Sequence, residues 1–180
     1  MIRFTIVTGN AEKLTELRRI IPASIEFDHH ELDLHEIQSL DLDEIIADKA
    51  KRAYDTLQKP VLVEDVAAGL EALNGLPGPF IKFFHQQLGE DALYELGGES
   101  GRATIYCAAA YYDGEKLLIG HGQVAGKVVE PRTKTGFGFN KIFVPDGYEQ
   151  TFAEMSPDLH DKLSHRGNAI RDLLPQLDQM

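Results

Sequence analysis

Apolar and polar positions change period several times along the chain, and each change marks an element. Phe4 to Val7 is a short β-type run that stops at Thr8-Gly9-Asn10, after which Leu14, Leu17, Ile20 and Ile21 recur at helical spacing over residues 11 to 21. The pattern predicts a strand, a tight turn and a helix. A second strand is expected over Ser24 to Phe27. From Asp41 a second helix sets Leu42, Ile45, Ile46 and Ala50 on one side and carries Lys49, Lys51 and Arg52 in its later turns, where the helix dipole favours cations. Pro60 closes the connection. Val61 to Val63 then reads as a buried strand that delivers Glu64 and Asp65 at its carboxyl end.

The next stretch, GLEALNGLPGPFIKFF, is rich in Gly and Pro and predicts a shaped loop before a short helix, with a further short helix over residues 90 to 96. Ala103 to Tyr112 and Lys116 to Val129 are β-like on either side of Asp113-Gly114, which predicts a hairpin. An aromatic and Gly-rich loop, Gly136 to Phe143, precedes a final helix from about Ser156, with Pro157 in its first turn. No repeat or long linker interrupts the chain, so residues 1–180 are read as one domain. Strands alternating with helices before a hairpin give an α/β class with a mixed β-sheet flanked by helices. Ligands in such folds gather beyond the carboxyl ends of strands, where Thr8-Gly9-Asn10 and Glu64-Asp65 are both expected.

Composition narrows the function classes. With 43% apolar residues in 180, the chain can bury a core without staples. The single Cys107 lies in a run that reads as a buried strand, which makes it a structural thiol of a reducing compartment. No apolar run approaches the roughly 20 residues of a membrane span, and MIRFTIVTGN lacks the apolar core of a signal peptide, so a cytoplasmic location and no membrane partner are expected. A formal charge of -11, from 18 Lys+Arg against 29 Asp+Glu, argues against broad binding to nucleic acid. A polyphosphate ligand is still open, because local lysines and a metal ion can reverse the field within one site.

Four groups of residues are candidates for chemistry. In TGNAEK, Thr8 to Lys13, the turn at Gly9 and the helix start offer backbone N–H groups to an anion, Thr8 and Asn10 add polar contacts, and Lys13 lies one turn on. The plain alternative is a turn capped by Asn10 with Lys13 in solvent. In VLVEDVAAG, adjacent Glu64 and Asp65 end an apolar run, which favours a cationic partner; with Glu36 from ELDLHEIQ they would suit Mg²⁺ or Mn²⁺ and an attacking water. Acidic surface loops are the alternative. Lys49 and Lys82 are candidate phosphate contacts or ordinary exposed lysines. LSHRGNA places Ser164, His165 and Arg166 in succession, able to hydrogen-bond a heterocycle and a phosphate, although neighbours on a helix do not face one another as nucleophile and base.

Taken in this order, TGNAEKLTE, DLHEIQ, VLVEDVAAGLEALNGLPGPFIKFF, PDGYEQTFAEM and LSHRGNA resemble the inosine triphosphate pyrophosphatase family nearly end to end. The resemblance implies hydrolysis of ITP, dITP and XTP to monophosphate and pyrophosphate by an elongated molecule of two lobes with a nucleotide cleft between them, commonly a homodimer. It implies that Thr8, Gly9, Asn10, Lys13, Lys49, Lys82 and Arg166 bind the triphosphate, that Glu36, Glu64 and Asp65 form the metal and water site, and that Asp65 is the base. Ser164 and His165 match the segment that closes over the purine, and Phe137 and Phe139 would stack on it. Two positions depart from the pattern. The family's aromatic loop continues Gly-Phe-Gly, a large aromatic, then Asp-Pro, whereas this chain has Asn140-Lys141, and five residues before His165 the usual lysine is His160, with Lys162 nearby. An amide and an imidazole donate and accept differently from a carboxylate and an ammonium, so an altered base preference stands beside the usual one. A nucleotide-binding protein without turnover is the reading from another class, and Maf-like pyrophosphatases are a further one whose Ser- and Arg-rich signature TGNAEK lacks.

Overall fold

Backbone pairing, more than local hydrophobicity, decides where the strands begin and end in this chain. The computed structural model describes residues 2–179. In chain order the elements are β1 Arg3–Val7, α1 Ala11–Ile20, β2 Glu26–His30, α2 Leu42–Leu57, β3 Val61–Leu70, β4 Pro77–Gly78, α3 Ile81–Leu88, α4 Ala92–Leu96, β5 Arg102–Tyr112, β6 Leu117–Val128, β7 Phe143–Pro145, α5 Pro157–Leu163 and α6 His165–Leu177. Seven strands form one mixed sheet in the order β2-β1-β3-β5-β6-β7, with β4 paired to β3 beside that path. β1 runs parallel to β2, with Val7 opposite His30, and parallel to β3, with Ile6 opposite Leu62. β4 is antiparallel to β3 and β7 to β6. This is the α/β class expected, and the helices of both early βα steps start where the pattern placed them.

Three boundaries differ from expectation for physical reasons. β2 lies two to three residues later than Ser24 to Phe27, because its register against β1 carries pairing through the polar His29 and His30 at the sheet edge. β3 does not stop at Val63 but continues to Leu70, so Glu64 and Asp65 sit inside the strand instead of beyond its end. Charge does not break the strand because Lys13, Lys49 and Arg166 supply partners for these carboxylates. The final helix is two helices, α5 and α6, separated by Ser164, which is extended at φ -63 and ψ 150.

The chain separates into two compact units. One comprises the residues through Asp65, Cys107–Gly122 and the residues from His165 onward; the other comprises Val66–Tyr106 and Gln123–Ser164. In the first, Val7, Val61 and Val63 pack with Ile46, Ala50 and Ala53 of α2 and Ala108 and Ala110 of β5. Alanine at the contact lets the α2 backbone lie close to the sheet. Gly120 and Gly122 act similarly on the other helix: a Cβ at Gly120 would strike Ala169 O, and one at Gly122 would strike His165 O and Ala169 N, so only glycine lets α6 start where it does. In the second unit, Phe139, Phe143, Phe152 and His160 form a chain of ring contacts with centroids 6.5, 5.2 and 4.9 Å apart.

Candidate active site

The turn after β1 combines both readings of its sequence. Asn10 caps α1, its Oδ1 accepting from the backbone N–H groups of Glu12 and Lys13 at 3.0 Å each, while its own N–H donates to Thr8 Oγ1 at 3.1 Å. The plain alternative is thus right about the cap. It is wrong about Lys13, which turns inward and places Nζ 2.6 Å from Glu64 Oε1. Thr8 is held by β2, its N–H donating to His30 O at 3.2 Å and its carbonyl 2.8 Å from His29 Nε2. Gly9 has an ordinary backbone, and a Cβ there would meet the Glu31 side chain at an ordinary contact distance of 3.7 Å.

Glu64 and Asp65 are adjacent on β3 yet acquire different surroundings. Glu64 is 5% exposed, with Oε2 3.3 Å from Arg166 Nη2 and accepting the Cys107 thiol at 3.5 Å. Burial pushes its pKa up, but the Arg166 guanidinium and Lys13 ammonium outweigh burial and hold it well below the usual carboxylate range. Asp65 is more accessible. Its pKa is raised, chiefly by burial, against the opposing pull of Lys49. Lys49 Nζ stands 2.8 Å from Glu36 Oε1, 4.0 Å from Asp65 Oδ2 and 3.4 Å from the Glu64 carbonyl, and its pKa ends above normal because Asp65 and Glu36 overcome the cost of burial. The sequence therefore names a true cluster: Glu36, Glu64, Asp65, Lys13, Lys49 and Arg166 meet within the first unit.

Among the described residues, no three His, Cys, Asp or Glu side chains already converge as a metal-binding set. The donor chemistry nevertheless suits a hard divalent cation, since Glu36 and Asp65 present oxygens to one ammonium group and Glu64 to another. With Glu16, these carboxylates outnumber Lys13, Lys49 and Arg166 by one negative charge.

The remaining candidates lie on the second unit, except His165, which is buried at the start of α6. Lys82 is exposed on the first turn of α3. Phe137 is half-buried, whereas Phe139 is a core residue with its ring edge-on to Phe143. The Asn140 N–H donates to Phe137 O at 3.0 Å and closes a short 3-10 turn, Gly138–Lys141. His160 is 6% exposed, edge-on to Phe152, with Nδ1 3.3 Å from Asp161 Oδ1 and Nε2 buried without a hydrogen-bond partner among the described residues. Ser164, fully buried, donates its N–H to His160 O at 2.8 Å.

The Ham1 family model matches residues 4–176. The chain belongs to the Ham1 family. It is 45% identical over 172 residues to the inosine triphosphate pyrophosphatase of Yarrowia lipolytica, covering 93% of this chain and 91% of that one. It is 38% identical to the inosine triphosphate pyrophosphatase of Schizosaccharomyces pombe, with 93% of each chain covered. A solved HAM1 protein from Coxiella burnetii superposes with a TM-score of 0.83 at 27% identity over the whole of both chains. A nucleoside-triphosphatase, dITP/XTP pyrophosphatase, from Mycobacterium abscessus gives 0.72 at 25% identity, covering 97% of this chain and all of that one.

In this Ham1 chain one member of the charged cluster escaped the reading of the sequence. Glu16 is buried and takes the Arg166 guanidinium in a close ion pair. A signal existed: Glu16 lies one turn after Lys13 and beside Leu17, so it occupies the buried stripe of α1, where an unpaired carboxylate is costly. Arg166 itself, 2% exposed, is bound by Glu16 and Glu64. Its guanidinium fixes the carboxylate against which Lys13 rests. The Cys107 thiol, raised well above its ordinary pKa by burial and by Glu64, is kept protonated, which fits the structural role expected.

Proposed function

We propose that this protein hydrolyses non-canonical purine nucleoside triphosphates, ITP, dITP and XTP, to the monophosphate and pyrophosphate, acting as one catalytic domain over residues 1–180. The observation that carries the reading is the pair of adjacent carboxylates set among inward-turned cations, Glu64 buried between Lys13 and Arg166 and Asp65 more open beside Lys49 and Glu36. The names of the relatives and the full-length match to the Ham1 family support the substrate class.

In this reading Thr8, Gly9, Asn10, Lys13, Lys49 and Lys82 contact the triphosphate, and Arg166 serves it by orienting Glu64 and balancing its charge. Glu36, Glu64 and Asp65 hold Mg²⁺, with Mn²⁺ as the substitute, and the metal supplies neutralisation of the polyphosphate charge. Asp65 takes the proton of the attacking water, being the more accessible of the two adjacent carboxylates, while Glu64 is held between Lys13 and Arg166. Little covalent machinery is needed, because phosphoryl chemistry depends on positioning and charge stabilisation. Phe137 stacks on the base, Phe139 anchors the loop that carries it, Asn140 and His160 read the base edge, and the buried Ser164 and His165 serve base recognition as packed supports. The enzyme is a cytoplasmic homodimer by the same resemblance, and among the described residues no helix is long and apolar enough to cross a membrane.

A second reading, the same cleavage with another base preference, is favoured by Asn140 and by the unsatisfied Nε2 of buried His160. Pyrophosphate release from ITP, XTP, dUTP and the four standard triphosphates tests both. Preference for ITP and XTP supports the first reading, and a preference for another base the second. Calorimetric binding of ITP with no turnover overturns both in favour of a nucleotide-binding protein.

A further inference from the structure

Lys141 follows Asn140 in the aromatic loop, at the position where the family pattern carries proline. Its aliphatic stem crosses Gly136, where an added Cβ would come within 2.9 Å of Lys141 Cγ, and its ammonium lies 2.8 Å from Glu90 Oε2 and 3.5 Å from Asp91 Oδ1. Both carboxylates belong to the connection between α3 and α4. From α3, the His85 ring lies under the same turn: its Cε1 and Nδ1 are 3.6 and 3.9 Å from the Cβ position of Gly138, and its centroid is 6.5 Å from that of Phe139. Burial lowers the His85 pKa, so a neutral ring packs there.

The loop needs such support. Gly136 and Gly138 have φ of +139° and +53°, and glycine leaves those positions a wide choice of conformations. Proline after the base-reading residue restricts the backbone covalently. Here side chains from the neighbouring helical segment do the restricting. We propose that the Glu90–Lys141–Asp91 bridge, together with the His85 ring beneath Gly138 and Phe139, is a positioning device that sets the aromatic loop, and with it Phe137 and Asn140, for recognition of the base. The inference rests on the nucleotide reading above. It assigns substrate-specific work to residues 85, 90, 91 and 141, none of which is a phosphate-binding or metal-binding residue of that reading.

The test compares Lys141→Met, the volume-conserving Glu90→Gln/Asp91→Asn pair, and Lys141→Arg with the wild type. The readouts are KM and kcat for ITP, and inhibition by pyrophosphate, which engages only the phosphate end. Lys141→Met and the double variant should each raise KM for ITP roughly three- to fivefold, the size that half-exposed ion pairs can carry, with kcat within about twofold. Pyrophosphate inhibition should stay unchanged, and Lys141→Arg should behave as wild type. An unchanged KM in both variants overturns the proposal. So does a parallel loss of pyrophosphate affinity, which marks a general structural defect. Should Lys141→Met unfold, the double variant decides. If the wild type does not turn over ITP, the functional reading fails separately, and the bridge is then judged by the ratio of calorimetric affinities for ITP and pyrophosphate.

Discussion

Glu64 and Asp65 share a strand and a charge, yet their neighbours give them different work. Glu64 is fixed as an anion between Lys13 and Arg166, whereas Asp65 keeps a raised pKa and some exposure. Replacing Asp65 by Asn should lower kcat for pyrophosphate release by about 100-fold or more, because it removes both the proton acceptor and one carboxylate of the metal site. Wild-type turnover in that variant would move the base elsewhere. In the metal-free protein the direction of the Asp65 shift places its titration above the ordinary aspartate value, which a pH series on metal-free protein followed by NMR reads directly. Glu64 carries the opposite linkage. Its folded pKa is depressed, so its contribution to stability is present above the unfolded value of about 4.3 and is lost as pH falls through the folded one. Removing its partner by Arg166→Met should cost roughly 3–5 kcal/mol in urea unfolding, since a buried charge is left uncompensated. A loss below 1 kcal/mol would show that the network is solvated.

At the scale of elements, β-type runs and helical spacing located the early strands and helices, and Asn10 and Asp41 cap α1 and α2 as their side-chain chemistry suits. Asn10→Ala should lower stability by about 1 kcal/mol and Tm by about 2–4 °C, measured by calorimetry. The length of β3 and the break at Ser164 were not legible. Both depend on partners distant in sequence: the cations that let Glu64 and Asp65 remain in a strand, and the glycines of β6 that admit the first turn of α6. Gly122→Ala tests the second, because its Cβ would collide with the backbone at His165 and Ala169. It should cost about 1–3 kcal/mol by crowding, and a change of less than 0.5 kcal/mol by the same urea measurement would mean that α6 shifts freely.

For the whole molecule, the formal charge of -11 leaves a polyanionic substrate dependent on local cations, and the cluster around β3 concentrates three of them. Even so, its four carboxylates hold the majority. Removal of divalent metal with a chelator should therefore abolish pyrophosphate release, and adding back Mg²⁺ or Mn²⁺ should restore it. Turnover that persists under chelation would remove the metal from the reading.

What the sequence by itself determined is the α/β class, the family, and the identities of the residues that gather at β3 apart from Glu16, because periodicity, turn chemistry and long motifs are local properties of the chain. Tertiary structure alone decided how those residues are paired. Lys13 turned inward to Glu64, Arg166 clasped by Glu16 and Glu64, Phe139 in the core, and Lys141 bridged to Glu90 and Asp91 all join residues from separate elements. Desolvation and the distance between charges are set only when those elements pack, and they are what separate one carboxylate's role from its neighbour's.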